Sequence, residues 1–190
     1  PDQGAGPEPR QLQPLCTGCC SNAASDHGRR ATERGRHPSL AELADIIPGA
    51  DAWPRFTKNR SERFEARLSQ VEVLDSPSIF FKGMAGTRLP VAVAHGEGYA
   101  DFAYRGDASQ VIATLRFTDH TGHPTEAYPA NPNGSAGGLT AVTTPDGRFT
   151  AVMPHPERIF RNIQMSWTSG DKSGQSPWME LWRNARRWVG

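Results

Sequence analysis

Apolar residues first fall into a regular period at residue 39. Leu40, Leu43, Ala44 and Ile47 recur at helical spacing, and Ser39 with Glu42 matches a capping box, which predicts a short helix over residues 40–47. Pro48 and Gly49 end it. Trp53-Pro54-Arg55-Phe56, which Pro54 keeps out of a helix, reads as a packed loop. From residue 63 to 68 the period drops to two. Phe64, Ala66 and Leu68 fall on one face and Arg63, Glu65 and Arg67 on the other, the pattern of a half-buried strand. Val71 and Val73 follow in the opposite phase, which predicts a bulge or burial on both faces.

The apolar run Pro90-Val91-Ala92-Val93-Ala94 has the form of a central strand covered on both sides, and His95-Gly96-Glu97-Gly98 follows it as a polar turn. Residues 111–117 offer another strand, 119–122 a turn, and 127–138 a loop dense in Pro, Asn and Gly. Residues 141–144, 145–147 and 148–153 read as strand, turn and strand. Ser176-Pro177 then caps a closing helix whose apolar stripe is Trp178, Leu181, Trp182, Ala185 and Trp188. Residues 1–38 show no sustained period and are rich in Gly, Pro, Ser and Arg, so an irregular, poorly ordered leader is expected there.

Composition narrows the function classes. A chain of 190 residues, 36% hydrophobic and 22% charged, can bury one substantial core. Its 21 basic and 20 acidic side chains leave a formal charge of +1, which gives no general pull toward nucleic acid or anionic lipid. No apolar run is long enough to span a bilayer. Three clustered Cys cannot build a framework of several disulfides, and the odd count leaves a free thiol, so the cytoplasm is the expected location. The chain opens on Pro1 rather than Met, so a fragment or processed piece is expected.

Candidate chemistry concentrates after the strand over residues 148–153. In an extended backbone, residues i and i+2 project to one side, so Glu157 can orient the ring of His155, and Pro154 and Pro156 stiffen the segment. A His held by a carboxylate is half of a nucleophilic triad; a solvated loop is the plainer alternative. Cys16, Cys19 and Cys20 supply possible nucleophiles, with Cys16-Thr17-Gly18 resembling a tight nucleophile turn. Cys16-x-x-Cys19 with Cys20, His27 or His37 could instead hold zinc, and thiols without a role in a loose leader remain open. His95 and Glu97, flanked by glycines, are candidates for contact with a substrate, though a plain turn explains them equally well. Arg55, Lys58, Arg60, Arg63 and Arg67 are interleaved with Glu62 and Glu65 and read as a solvated face.

Taken together, Trp53-Pro54-Arg55-Phe56, Arg63-Phe64-Glu65-Ala66-Arg67, His95-Gly96-Glu97-Gly98, the loop from Tyr128 to Ser135, Met153-Pro154-His155-Pro156-Glu157-Arg158 and Arg183-Asn184-Ala185-Arg186 resemble one family. From Ser39 to Gly190 the chain is similar to the C-terminal glutaminase domain of phosphoribosylformylglycinamidine synthases in their large single-chain form. The resemblance implies an α/β class I glutamine amidotransferase domain with a flavodoxin-like three-layer fold, shortened on its N-terminal side. It implies hydrolysis of glutamine by a Cys-His-Glu triad and delivery of ammonia to a synthetase domain. There, ATP with Mg drives conversion of formylglycinamide ribonucleotide to its amidine; no cofactor, metal, nucleic acid or membrane is expected at this domain itself. His155 and Glu157 match the family's His and Glu, and His95 and Glu97 are expected to bind substrate. Cys16 is the candidate nucleophile through Pro14-Leu15-Cys16-Thr17-Gly18-Cys19-Cys20, where the family has Gly in place of Pro14. The span from Cys16 to Ser39 exceeds the family's, as a frame-shifted or misjudged leader would, so the isolated chain is expected to be a weak glutaminase or an inactive one.

Overall fold

The structure, a computed structural model, describes the backbone of residues 16 and 17, and residues 44–166 and 174–190 in full. These segments contain strands β1 (Cys16–Thr17), β2 (Arg55–Lys58), β3 (Glu65–Val73), β4 (Arg88–His95), β5 (Glu97–Asp101), β6 (Ile112–Phe117), β7 (Leu139–Thr143) and β8 (Thr150–Val152), with alternating burial along β4 and β5 and complete burial along β7 and β8. Six of them form one sheet in the order β1-β8-β7-β6-β3-β4, and β2 with β5 forms a separate ribbon. β1 and β8 are parallel, with Cys16 beside Ala151 and Thr17 beside Val152, while the other pairs are antiparallel. Helix α1 (Glu180–Val189) closes the chain.

The sheet is curled, and the curl positions the site. β4 ends the strand order, yet its free edge meets the chain just past β8: the His155 amide donates to the Ala92 carbonyl at 2.7 Å, forming an isolated antiparallel bridge. The inner side of the curl holds Val71, Val73, Val91, Val93, Leu115, Phe117 and Val152, sealed by Phe80, Phe81, Trp178 and Leu181. The opposite face packs Val142, Ala151 and Met153 against Trp53, Phe56 and Ala100.

Several expectations from the sequence change. The face of β3 is reversed: Glu65, Ser69, Val71 and Val73 are buried, whereas Phe64 is 53% exposed and Leu68 38%. The cause is register. β3 pairs with β4 without a break from Glu65 opposite His95 to Glu72 opposite Arg88, so the inward phase of Val71 and Val73 runs back to Glu65 and no bulge intervenes. β4 is a terminal strand of the sheet with alternating burial, not a central strand covered on both faces. The segment after Trp53 is strand β2 rather than a loop, because β5 offers it a partner. The expected turn at 95–98 is a crossing between sheets, with Gly96 alone separating β4 from β5. Of the helix expected over 40–47, residues 44–46 form a single 3-10 turn and the earlier positions lie outside the described residues.

The strand-turn-strand over 141–153 and the closing helix agree with expectation. Ser176 accepts the Trp178 amide at 3.1 Å, and Pro177 opens the 3-10 turn Pro177–Met179 that leads into α1. Trp182 is 37% exposed, however, and Asn184 is buried instead, donating to the carbonyls of Phe80 and Lys82.

Candidate active site

Immediately past β8 the chain bends at Met153 and Pro154, and His155 precedes the 3-10 turn Pro156–Ile159, with Pro156 and Glu157 in its first turn. His155 Nδ1 lies 2.8 Å from Glu157 Oε1. The pairing expected from an extended backbone therefore forms, but a helical turn makes it. His155 is fully buried while the Glu157 side chain remains one-third accessible. The carboxylate accepts from Nδ1–H, which fixes the tautomer and leaves the Nε2 lone pair available. Among the described residues, Nε2 has no hydrogen-bond partner.

His95 lies beside this pair, its ring centroid 6.2 Å from that of His155. Its Nε2 is 2.8 Å from Asn133 Oδ1, and the Asn133 amide nitrogen donates to the Gly98 carbonyl at 2.8 Å. Since the amide nitrogen is spent on Gly98, the oxygen must face the ring, which assigns the proton to His95 Nε2 and a lone pair to Nδ1. This packing requires glycine at 98, where a Cβ would stand 2.5 Å from His95 Nε2 and 2.6 Å from the Asn133 amide nitrogen. Asn59 completes the cradle by donating to the His95 carbonyl at 2.8 Å.

Burial pushes the His95 imidazole down to about 4, with His155 pressing the same way and the Asn133 bond opposing it. Between about 4 and the ordinary value near 6.5 the unfolded chain binds the proton and the folded one does not, so stability rises with pH across that window. His95 should contribute nothing to pH dependence above about 6.5 and should cost up to about 3 kcal/mol as pH falls to 4. Urea denaturation from pH 7.5 to 4.5 checks this, since His95→Asn should flatten the slope by close to one proton. An unchanged slope would show that His95 is not held neutral.

Directly across the ladder from His95 is Glu65, 2% exposed. One carboxylate oxygen bonds Arg67, whose guanidinium also donates to Tyr128 Oη at 2.7 Å and lies 4.8 Å above that ring. The other oxygen has no partner among the described residues. Thus Arg67 belongs to a partly buried network rather than a solvated face. The sequence reading missed Glu65 and Asn133, and the signal available for Glu65 was its phase with Val71 and Val73. Arg60 and Arg63 line an open groove with Tyr128, and His155, Glu157 and His95 do not line it.

The structure thus brings His155, Glu157 and His95 together. Glu97 opens β5 opposite Lys58, and no hydrogen bond joins it to His155 or Glu157 among the described residues. Cys16 stands in β1 on the strand next to the one that leads to His155. Cys19, Cys20, His27 and His37 lie outside the described residues. Among those described, no group of three or more His, Cys, Asp or Glu could hold a metal ion, and no helix is long and apolar enough to cross a membrane.

The curled α/β architecture is a class I glutamine amidotransferase-like fold. The chain belongs to the CobB/CobQ-like glutamine amidotransferase domain family, whose model matches residues 39–189. Among solved structures, PurLQS from Thermotoga maritima is similar at 19% identity over 72% of this chain and 53% of that one, with a TM-score of 0.52. A putative GMP synthase component from Thermoplasma acidophilum matches at 10% identity over 80% of this chain and 53% of that one, with a TM-score of 0.44. At 19% identity the likeness to PurLQS concerns the fold, and this chain spans about half the length of either protein.

Proposed function

We propose that the chain is the glutaminase part of a phosphoribosylformylglycinamidine synthase, hydrolysing glutamine through Cys16, His155 and Glu157. The observation that carries this reading is the 2.8 Å contact that leaves a buried imidazole nitrogen without a partner among the described residues, one strand away from the backbone of a cysteine. Family membership supports the glutamine chemistry, and the PurLQS fold together with the sequence motifs favours the purine enzyme.

In this mechanism His155 Nε2 takes the Cys16 thiol proton, and the thiolate adds to the side-chain amide carbon of glutamine. Imidazolium, stabilised by Glu157, returns the proton to the amide nitrogen as the carbon–nitrogen bond breaks, releasing ammonia and leaving a thioester. Water, deprotonated by His155, attacks the thioester carbon, and glutamate departs as the thiol is restored. Glutamine is the substrate, and a synthetase domain binding ATP and Mg would consume the ammonia. No cofactor enters the steps at this domain.

Mass spectrometry after treatment with a glutamine-like chloroketone tests the assignment. The expected result is an adduct on Cys16 that added glutamine suppresses. Free thiols with no adduct, or stoichiometric zinc on the Cys cluster, would overturn it.

A further inference from the structure

Arg60 and Arg63 open onto one groove of about 400 Å³, shared with Glu126, Tyr128, Asn131 and Pro132. No ion pair engages either guanidinium among the described residues. The wall that carries them is held in place. The stem of Arg60 crosses Gly134, where a Cβ would stand 2.7 Å from it, and its guanidinium lies 5.3 Å from the centre of the Tyr99 ring. The Arg60 amide donates to the Asn133 carbonyl at 3.1 Å, and the Arg63 carbonyl accepts from the Asn59 side chain at 3.1 Å. Between the two arginines Glu62 adopts a φ of 57°, the only positive value outside glycine among the described residues. That conformation costs a glutamate about 1–2 kcal/mol, and the turn that contains it sets Arg60, Ser61 and Arg63 on the groove. The opposite wall is Tyr128, 57% exposed, held by Arg67, which buried Glu65 anchors in turn. Since Tyr128 Oη accepts from Arg67, its own proton remains to be donated. Asn131 is buried between the walls with its side chain committed to the carbonyls of Thr125 and Ser135 and to the Gly134 amide.

Two guanidiniums against one carboxylate leave the groove with a net positive charge, and the Glu126 carboxylate already accepts the Gly137 amide at 2.8 Å. Charge complementarity therefore selects an anionic occupant. The groove is far roomier than a single carboxylate or phosphate needs, and arginine beside exposed tyrosine is the composition of a surface that binds protein. Walls fixed in advance lower the cost of ordering side chains on association. We propose that this groove is the docking site for an acidic segment of the synthetase polypeptide, whose carboxylates pair with Arg60 and Arg63 while a neighbouring side chain packs on Tyr128. The choice of the synthetase as partner rests on the glutaminase reading; the acidic character of the segment rests on the groove alone. The groove also adjoins the site already described, because Asn133, whose carbonyl holds the Arg60 amide, is the residue that holds the His95 ring.

The test titrates the full chain into a fluorescein-labelled hexaglutamate peptide and follows anisotropy; a purified phosphoribosylformylglycinamidine synthetase polypeptide, with the hexaglutamate as competitor, forms the second arm. The expected result is saturable binding of both, weakened about tenfold or more when Arg60→Ala and Arg63→Ala are combined. Arg148→Ala removes an exposed arginine outside the groove and should leave binding unchanged. Raising the salt from about 0.05 M to about 0.5 M should remove most of the peptide binding. Should Arg60→Ala not fold, Arg63→Ala against Arg148→Ala makes the same comparison at equal net charge. No saturable binding of the peptide or the synthetase, or an equal loss in Arg148→Ala, would overturn the site. So would displacement of the peptide by inorganic phosphate or free glutamate at the same anion concentration, which would make the groove a small-anion site, or self-association that masks it, which would make the occupant a second copy. Glutamate release is assayed separately. A chain that binds the peptide but releases no glutamate keeps the acidic docking groove and loses the glutaminase reading, and with it the choice of partner; an active chain that binds neither probe does the reverse.

Discussion

Glu157→Gln should lower the turnover of glutamine by about 10³–10⁴-fold while leaving the fold intact. In the proposed mechanism the carboxylate has two tasks at His155: it selects the tautomer with the proton on Nδ1, and it would stabilise the imidazolium formed on deprotonation of the thiol. An amide of the same shape keeps the packing, because Glu157 is one-third accessible and sits in the first turn of Pro156–Ile159, where a neutral side chain is tolerated. It removes the charge, however, and can present an N–H to Nδ1, favouring the wrong tautomer. The loss should therefore appear in kcat, with KM changed little, since Glu157 reaches glutamine only through His155. His155→Ala should cost at least as much, and the double variant little more, because the two residues act as a unit. Turnover in Glu157→Gln within tenfold of the parent, measured as glutamate release, would remove the triad from the reaction.

How much of this was legible in the sequence depends on which forces set each element. The strand, turn and strand around Gly147 and the capped closing helix are specified locally, by alternation, turn residues and the Ser176-Pro177 pair, and they form where expected. The contact of His155 with Glu157 was legible in their two-residue spacing, although a 3-10 turn beginning at Pro156 makes it in place of the extended backbone expected. β3 was not. Its apolar residues fit both phases of a period-two pattern, and only long-range register against β4 and β6 decides that Glu65 and Ser69 turn inward while Phe64 and Leu68 turn outward. The neighbourhood of His95 was illegible for the same cause. Asn133, 38 residues away, Glu65 across the ladder and His155 past the end of β8 meet there only because the sheet curls until Ala92 bonds the His155 amide.

That curl is closed over its inner core by the chain's last elements, and Trp178→Ala should show how strongly. Trp178 is fully buried, packs into the inner core with Leu181 and Ile159, and donates its indole N–H to the Pro90 carbonyl of β4 at 2.8 Å. Truncation to alanine removes the ring, opens a cavity against β4, and leaves that carbonyl without its donor. The cavity alone should cost about 3–5 kcal/mol, and the lost hydrogen bond about 1 kcal/mol more. Against a total stability of about 5–15 kcal/mol for a domain, this is enough to bring the chain near unfolding. Trp178→Phe separates the two contributions, since it keeps most of the ring volume but not the N–H. Its cost should be roughly 1–2 kcal/mol. Because Pro90 lies two residues before Ala92, whose carbonyl holds the His155 amide, the alanine variant should also lose glutamine turnover at temperatures where it remains folded. Urea denaturation followed by far-ultraviolet circular dichroism measures the stability. A cost below about 1 kcal/mol for Trp178→Ala would show that the closing helix does not clamp β4, and that the bridge from Ala92 to His155 is held by the sheet alone.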